Sequence, residues 1–477
     1  MPFNSLKFLL FLPVVFLLYW FAFRERKSQN LLIIAASYVF YGWWNWHCVF
    51  LIALTTACSY AGGILIERFM HSGEKRKAKC VNIANITVNI GILCYFKYFN
   101  FFIGSLMRAA GAVGWNIDLP TAKVLLPVGI SFYTFQAIGY TIDVLKKRVK
   151  ASTDPTSFFA YVCFFPQLVA GPIERARNLL PQFDNARRFD YALAVDGVRQ
   201  MLWGYLKKLV IADNCAKVMG PLFASPSSFC TAHLALGLVL FFFQIYCDFS
   251  GYSDIAIGTA KLFGIRLTKN FDAPMFSRNI AEFWRKWHIT LNSWFFDYVF
   301  FAMKGWNKKW RIALNVLVVF TLSGLWHGAS SRFILWGLYF GILSIPCFLK
   351  IRPFKTKVAE NRLLPSFKEC GQMISTFILV LLAGPLFRCT SVSKAFLYYK
   401  SLITGVTVES HLTMGTALTV SIAVLLLLEW VFRFKEHPFR LELVRNQAVR
   451  FAIILLALFC IFWFSPFSSA QFIYFDF

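Results

Sequence analysis

The stretch RIALNVLVVFTLSGLWHGASSRFILWGLYFGILSIPCFL, residues 311–349, is a long apolar run with a polar centre. The centre, SGLWHGASS at residues 323–331, places the ionisable ring of His327 between Trp326 and Gly328, close to several hydroxyl side chains. Such residues interrupt a membrane helix only where protein or a water-filled cavity surrounds them. We therefore expect one helix to break, or two helices to meet, at His327.

The composition of the whole chain indicates a membrane protein. Of its 477 residues, 58% are hydrophobic and only 15% are charged, and the mean hydropathy is +0.58. Apolar runs of about 17–25 residues can cross a bilayer, and the sequence contains about eleven of them, with shorter runs suited to re-entrant segments. The expected fold class is an all-α polytopic membrane protein. The first run, residues 8–23, is not followed by a small-residue cleavage site and is expected to be a retained span.

The basic residues indicate how the chain is oriented. The net charge is +26, from 49 Lys and Arg against 23 Asp and Glu. Under the positive-inside rule, clusters of Lys and Arg between spans mark cytoplasmic loops, so they do not indicate a nucleic-acid partner. The clusters lie at residues 24–27, 75–79, 146–150, 175–188, 304–311, 350–357 and 433–445. The nearly uncharged loops 111–120 and 225–231 would then face outward, which places both termini outside.

Histidine is the residue type suited to proton transfer near neutral pH. With an unperturbed pKa of about 6.5, an imidazole can take a proton from a hydroxyl as a general base and return it. The alternative is a core histidine bonded to a backbone carbonyl, which is the commoner role of a lone histidine. A second buried candidate, His288, lowers the weight of this alternative for His327. The twelve cysteines are scattered singly, without a CxxC pair or a Cys/His spacing for zinc, so no metal site is expected.

Polar residues also interrupt two segments before these histidines. The run LPVGISFYTFQAIGYTIDVLKK, residues 126–147, contains Gln136, which is a candidate for lining a cavity; packing between helices is the alternative. The run FFAYVCFFPQLVAGPIERARNLLPQF, residues 158–183, is broken by prolines and a glycine, which favours a re-entrant hairpin. The basic loop after it is either a simple topology signal or the place where an anionic donor approaches.

Two further segments carry ionisable residues. In QIYCDFSGYSDIAIGTAKLFGI, residues 244–265, Asp248 and Tyr252 lie at i and i+4 on one helical face. A carboxylate in a membrane segment costs about 2.5–3.5 kcal/mol, so we expect a histidine or a substrate group as the partner of Asp248. In FWRKWHITLNSWFFDYVF, residues 283–300, the spacing predicts one amphipathic helix. It either lies at the cytoplasmic boundary or tilts inward and carries His288 and Asn292 toward His327.

Several ordered motifs are similar to those of the membrane-bound O-acyltransferase family, in particular its alginate O-acetyltransferase and peptidoglycan O-acetyltransferase branches. The motifs are NLLIIAASYVFYGWW at 30–44, LPVGISFYTFQAIGYTID at 126–143, FFPQLVAGPI at 164–173, QIYCDFSGYSDIAIG at 244–258, NFDAPMFSRNIAEFWRKWHITLNSWFFDYVF at 270–300, SGLWHGAS at 323–330 and the terminal FIYF. This resemblance extends over nearly the whole chain.

The resemblance implies one enzyme domain, residues 1–477, whose helices surround a central tunnel. N-terminal spans would occupy residues 1–114, a catalytic core residues 115–350 and C-terminal spans residues 351–477. His327 matches the position that the family treats as catalytic, and His288 matches its second histidine. The candidates for substrate binding are Asn292, Asp248, Trp326, Gln136 and Tyr252.

The implied reaction moves an acetyl group from a cytoplasmic thioester, acetyl-coenzyme A or another acyl thioester, across a bacterial inner membrane. No bound cofactor is implied. An extracytoplasmic hydrolase-like partner protein would complete the transfer to a polysaccharide. Ester formation needs a base for the hydroxyl, a donor for the developing oxyanion and exclusion of water. His327 would be the base, with His288 or Asn292 orienting or stabilising the reacting groups.

Two other functions remain open at the level of sequence. A sister branch with similar motifs transfers D-alanine from a carrier protein to teichoic acid, so the donor could be an aminoacyl thioester. Alternatively, Asp248, His288 and His327 could form the proton path of a transporter or flippase. A transporter built on inverted repeats should show two similar halves, and no such repeat is found in the sequence.

Overall fold

The protein is described here by a computed structural model, which defines residues 1–115, 119–121, 126–169, 171–303, 308–349, 357–405 and 414–466. These residues form helices and connecting turns, with no β-strand among them. The terminal FIYF motif, residues 304–307 of one basic loop and residues 350–356 of another lie outside the described residues, and loop 111–120 is described only in part.

Seven of the described helices are long and apolar enough to cross a membrane, which confirms an all-α polytopic membrane protein. Leu6–Ala22 and Thr416–Val431 are shorter apolar helices. The seven are His47–His71, Lys75–Ala112, Thr231–Leu262, Lys309–His327, Ser331–Leu349, Phe367–Arg388 and Gln447–Phe464. The expected total of about eleven crossings stays a prediction.

The chain divides into two compact units. The first comprises Met1–Val198 and Ala256–Thr268, and the second comprises Arg199–Ile255 and Lys269–Phe477. The prediction of a single domain with three sequential parts is not tested by this division and stays a prediction.

Among its described residues, the first unit contains nine complete α-helices. They are α1 (Leu6–Leu17), α2 (Arg26–Gly42), α3 (His47–His71), α4 (Lys75–Leu93), α5 (Phe99–Ala112), α6 (Ile130–Leu145), α7 (Pro155–Cys163), α8 (Phe165–Leu168) and α9 (Ala176–Asp184). The π-helical segment Cys94–Tyr98 joins α4 to α5, and Leu18–Ala22 continues α1 in the same way.

Helix α6 is buried along almost its whole length, so its polar side chains face protein. Asn85 of α4 donates a hydrogen bond to the Thr141 hydroxyl of α6 at 3.1 Å. Gly129, which precedes α6, has φ +75°, and a Cβ there would collide with the Leu168 carbonyl oxygen. Only glycine combines this left-handed backbone with such a close approach.

The segment 158–183 forms short helices. The longest, α7 and α9, have nine residues each, and α8 has four. A nine-residue helix is about 14 Å long, whereas the hydrocarbon core of a bilayer is about 30 Å thick. No single one of these helices can cross the membrane, in agreement with the sequence pattern. Whether they form a re-entrant hairpin stays a prediction.

The remaining helices belong largely to the second unit. They are α10 (Tyr191–Tyr205), α11 (Asp213–Ala224), α12 (Thr231–Leu262), α13 (Ile280–Lys286), α14 (Ile289–Tyr298), α15 (Lys309–His327), α16 (Ser331–Leu349), α17 (Phe367–Leu382), α18 (Gly384–Arg388), α19 (Val392–Thr404), α20 (Thr416–Val431) and α21 (Gln447–Phe464). The N-terminal part of α10 and the C-terminal part of α12 belong to the first unit. A π-helical segment, Leu206–Ala212, joins α10 to α11.

Helices α15 and α16 form a tight hairpin at the polar sequence SGLWHGASS, residues 323–331. Helix α15 ends at His327 and α16 begins at Ser331, which confirms the expected break. Gly324 and Gly337 permit the close packing, because a Cβ at either position would collide with a backbone carbonyl of the facing helix. Small residues at such contacts let membrane helices approach closely.

The prediction of one amphipathic helix over residues 283–300 is wrong. The chain leaves the helical conformation at Trp287 and His288, and His288 has a left-handed backbone with φ +42°. Non-glycine residues adopt this conformation rarely, and surrounding contacts must hold it. The aromatic periodicity predicted helix on both sides of the break, but it does not indicate the break itself.

Candidate active site

His327 is held in an aromatic cage at the C-terminal end of α15. Its side chain is buried, and its ring centroid lies 4.9 Å from that of Trp336 and 5.0 Å from that of Phe387. Trp326 packs against it edge-on at 5.0 Å. Aromatic walls on these sides exclude water, as hydrolysis-sensitive acyl chemistry requires.

His288 lies in the turn between α13 and α14, outside the candidate membrane spans. It is only 1% exposed, and its ring packs edge-on against Phe249 at 4.6 Å. Burial lowers the pKa of His288 to about 3, so this imidazole is neutral at physiological pH. A neutral imidazole has one nitrogen that donates a hydrogen bond and one that accepts.

Both predicted histidines contact the indole of Trp326. His288 contacts it with a centroid distance of 5.5 Å, and His327 is its neighbour in the chain. Of the predicted site residues, the structure therefore brings His288, His327 and Trp326 together. The remaining four have other partners, which are described next.

Asn292 stabilises the turn that carries His288. Its side-chain amide donates to the backbone carbonyls of Trp284 at 2.7 Å and of Trp287 at 2.6 Å. These two carbonyls lie at the end of α13, where a helix leaves carbonyl groups without partners in the helix itself. Asn292 thus supplies hydrogen bonds to the carbonyl groups at the C-terminal end of α13. Its role in substrate binding stays a prediction.

Asp248 pairs with a lysine, so the expectation of a histidine partner is wrong. Lys208 Nζ lies 2.7 Å from Asp248 Oδ1 and 2.9 Å from Asp213 Oδ1, and all three side chains are almost fully buried. The same ammonium group lies 5.9 Å from the centre of the Tyr252 ring. Asp248 and Tyr252 therefore do share one face of α12, and that face holds a buried cation. The buried lysine compensates the charge of Asp248. The predicted roles of Asp248 and Tyr252 in substrate binding stay predictions.

Gln136 belongs to the first unit. Its amide donates to the Tyr161 carbonyl at 2.8 Å, and Gln167 donates to the oxygen of the Gln136 side chain at 3.3 Å. These bonds tie α6 to α7 and α8. The contacts describe a packing role, and a role in lining a substrate cavity stays a prediction.

Three cavities of the second unit form a series in which neighbours share a side chain. A cavity of about 50 Å³ contains His327, and Trp284 forms part of its wall. Trp284 and Arg285 both line a second cavity of about 730 Å³. Arg285 in turn lines a third cavity of about 270 Å³. A mostly apolar cavity thus shares one wall residue with the charged cavity and another with the cavity that His327 lines.

The third cavity is mainly basic. Five basic side chains and two acidic ones line it: Arg278, Arg285, Lys286, Lys357, Arg433, Asp272 and Glu282. Several of these charged side chains already have partners within the protein.

Arg278 pairs with Glu282 at 3.0 Å, and Arg433 donates to backbone carbonyls such as that of Arg362 at 2.8 Å. Arg285 is exposed and makes no hydrogen bond or ion pair with any residue in the described ranges. Its guanidinium is available to an anionic ligand.

Sequence reasoning missed Asn270, Lys208 and the position of Trp284 between two cavities. Asn270 opens the motif NFDAPMF, but nothing in its local pattern indicates a contact with His288, 18 residues further on. Lys208 lies 40 residues before Asp248, so only the fold reveals their pairing. The sequence offered one signal for this pair: a lysine in one apolar stretch and an aspartate in another, each of which would need a partner of opposite charge in a membrane.

A membrane protein with two buried histidines around an indole, and with cavities leading to one of them, has the features of a membrane-embedded transferase. The chain belongs to the membrane-bound O-acyltransferase family, whose sequence model matches residues 25–354. It is therefore a multi-pass membrane O-acyltransferase.

Similar proteins agree with this assignment. The probable alginate O-acetylase AlgI of Pseudomonas aeruginosa is 36% identical over 406 residues, 84% of this chain and 75% of that protein. The peptidoglycan O-acetyltransferase of Helicobacter pylori is 34% identical over 362 residues, 70% of this chain and 67% of its own length. The teichoic acid D-alanyltransferase of Bacillus subtilis is 31% identical over 240 residues, 47% of this chain and 59% of its own length.

Proposed function

We propose that this enzyme takes an acetyl group from a cytoplasmic thioester and delivers it across the bacterial inner membrane for O-acetylation of an extracytoplasmic polysaccharide. His327 acts as the general base. The small, aromatic cavity around His327 is the observation that carries the proposal, and the names of the similar alginate and peptidoglycan enzymes support a polysaccharide acceptor.

The cavity around His327 suits a small apolar acyl group. The cavity has a volume of about 50 Å³ and is lined mostly by aromatic and aliphatic side chains, which fits a small acyl group such as acetyl. D-alanine would also bring an ammonium group, which needs a carboxylate or several acceptors. Among the described residues that line this cavity there is no acidic side chain. This difference favours acetyl over D-alanyl transfer.

The proposed reaction exchanges a thioester for an oxygen ester. His327 removes the proton of the acceptor hydroxyl as the oxygen attacks the acyl carbon, so that a C–O bond forms. The tetrahedral intermediate collapses with cleavage of the C–S bond, and the proton on His327 passes to the departing thiolate. The aromatic cage, which includes Trp336 and Phe387, keeps water from competing with the acceptor.

Acetyl-coenzyme A, or another acyl thioester carried on an anionic group, fits the series of cavities. Arg285 in the basic cavity would attract the phosphate of the donor, and the 730 Å³ cavity would hold its extended arm. The thioester end would pass Trp284 to reach His327. In this proposal the basic loops and the donor lie on the cytoplasmic side and the N-terminus lies outside, as the positive-inside rule indicates.

A partner protein outside the membrane would complete the transfer. We infer an acetyltransferase or esterase-like protein that receives the acetyl group and passes it to the polysaccharide. The resemblance of the motifs to the alginate branch supports this proposal.

The decisive experiment compares esters in cells that carry the wild-type chain, His327→Ala or His47→Ala. His47 is exposed on a different part of the chain and serves as the matched histidine control. Base-labile esters on envelope and secreted polysaccharide are measured by mass spectrometry, and the amount of inserted protein by immunoblot. We expect acetyl esters to disappear only in His327→Ala, with equal protein levels. Loss of D-alanyl esters instead would assign the chain to the teichoic-acid branch, and unchanged esters would overturn the role of His327.

A further inference from the structure

Asn270 is a fully buried polar residue that the acyl-transfer chemistry does not itself require. It lies in the irregular segment between α12 and α13, and its side chain is 0% exposed. Its side-chain oxygen faces the Nδ1 atom of His288 at 3.1 Å. The same oxygen accepts hydrogen bonds from the backbone N–H of Thr290 at 3.3 Å and from the Thr290 hydroxyl at 3.0 Å.

The backbone N–H of Thr290 fixes the orientation of the Asn270 amide. An N–H group can only donate, so the atom that it faces must be the oxygen of the amide and not its nitrogen. The amide nitrogen then points to the hydroxyl of Ser253, 3.5 Å away. Since the oxygen accepts, the Nδ1 atom of His288 must carry the hydrogen. In a neutral imidazole the lone pair then resides on Nε2.

Asn270 also holds the unusual backbone around His288. Its main-chain carbonyl accepts from the N–H of Ile289 at 2.9 Å, while its side chain accepts from the N–H of Thr290. These two amides directly follow His288, whose φ is +42°. A strained backbone persists only where surrounding contacts hold it in place. Here Asn270 alone accepts the hydrogen bonds of both backbone amides that follow His288.

We propose that Asn270 is a positioning residue that fixes His288 as the neutral Nδ1–H tautomer, so that His288 presents Nε2 to the acyl-transfer site as a hydrogen-bond acceptor. This inference rests on the proposed function for its catalytic consequence. It divides the roles of the two histidines: His288 accepts and orients a hydroxyl or thiol hydrogen, and it does not donate a hydrogen bond to the oxyanion. The oxyanion must therefore be stabilised by a different donor.

The tautomer can be observed without any activity measurement. The full chain, labelled with ¹⁵N and ¹³C in histidine only and reconstituted in lipid, is examined by solid-state NMR. The His288 signals are identified as those missing from the spectrum of His288→Gln. We expect the wild-type signals to show a protonated Nδ1 and an unprotonated Nε2. A protonated Nε2 in the wild-type chain would overturn the proposal, whatever the result of the ester experiment.

Three variants distinguish the effect of Asn270 on the His288 tautomer from a general effect on folding. Asn270→Asp retains an accepting oxygen toward His288, and the Ser253 hydroxyl can turn to donate to the other oxygen, so the Nδ1–H signal should persist. Thr290→Val removes one donor to the same oxygen and should also leave the Nδ1–H signal in place. Asn270→Leu removes the acceptor, and the His288 signals should then shift toward the Nε2–H form.

Kinetics supply the second readout. In Asn270→Leu we expect kcat to fall by about 10²-fold or more, the range typical of a lost proton-transfer partner, while KM changes little. Asn270→Asp should recover most of this loss. If Asn270→Leu does not insert, the wild-type and Asn270→Asp spectra still decide the tautomer. Equal kcat values in all three variants, or loss of Nδ1–H in Asn270→Asp, would contradict the assignment.

Discussion

Arg285 is the side chain at which charge, exposure and cavity geometry coincide. It lines both the basic cavity and the large apolar one, and within the described ranges it makes no ion pair. The neighbouring Arg278 and Lys286 have carboxylate partners in Glu282. Arg285 could therefore bind an incoming phosphate without giving up an ion pair within the described ranges, and a charged hydrogen bond of this kind contributes about 1.5–3 kcal/mol.

We expect Arg285→Gln to raise the KM for the thioester donor by about tenfold or more while kcat changes little, because the lost bond lies away from the reacting atoms. The measurement is the initial rate of acyl transfer in membrane vesicles as donor concentration is varied. Arg108→Gln, which removes an exposed arginine of the first unit, is the matched control. An unchanged KM in Arg285→Gln would remove the basic cavity from the donor path.

At the scale of elements, the α15/α16 hairpin and the α13/α14 break show what a sequence can and cannot predict. The end of α15 was predictable, because glycines and hydroxyls surround His327 in an otherwise apolar run. The break at His288 was not, because the residues around it are compatible with a helix. It depends on Asn270, 18 residues away, and periodicity does not reveal contacts of that kind. Fold class and family followed from pattern, whereas the partner of Asp248 required the structure.

The hairpin itself gives a prediction for its packing. Gly337→Ala places a Cβ against the carbonyl oxygen of Phe320, and overpacking of this kind costs about 1–3 kcal/mol. We expect a lower thermal midpoint for the detergent-solubilised protein and fewer acetyl esters in cells, since α15 carries His327. The control is Gly371→Ala in α17, where a Cβ meets no atom within 4 Å. There alanine favours the helix, and the midpoint should hold or rise. Equal midpoints for both variants would contradict the tight packing.

At the scale of the whole molecule, the length of one helical stretch and the charges at its ends predict which side of the membrane each end faces. The helical stretch Lys75–Ala112 has 38 residues. At about 1.5 Å per residue it is far longer than the roughly 30 Å of a bilayer core, so its ends should emerge on opposite sides. Basic residues surround its start, and the exposed Cys80 lies there, whereas the exposed Trp115 follows its end. The positive-inside rule places Cys80 in the cytoplasm and Trp115 outside.

A membrane-impermeant maleimide tests this orientation in a chain whose twelve cysteines have been replaced. With Cys80 restored, we expect labelling only in inside-out vesicles, because the cluster of Lys and Arg before it is retained in the cytoplasm. With Trp115→Cys, we expect labelling of right-side-out spheroplasts. Each variant must still support ester formation, which shows that the cysteine-free chain inserts correctly. The opposite pattern at both positions would invert the topology, and it would place the basic loops, and with them the proposed donor site, outside the cell. A thioester made in the cytoplasm could not then reach His327 by the proposed route.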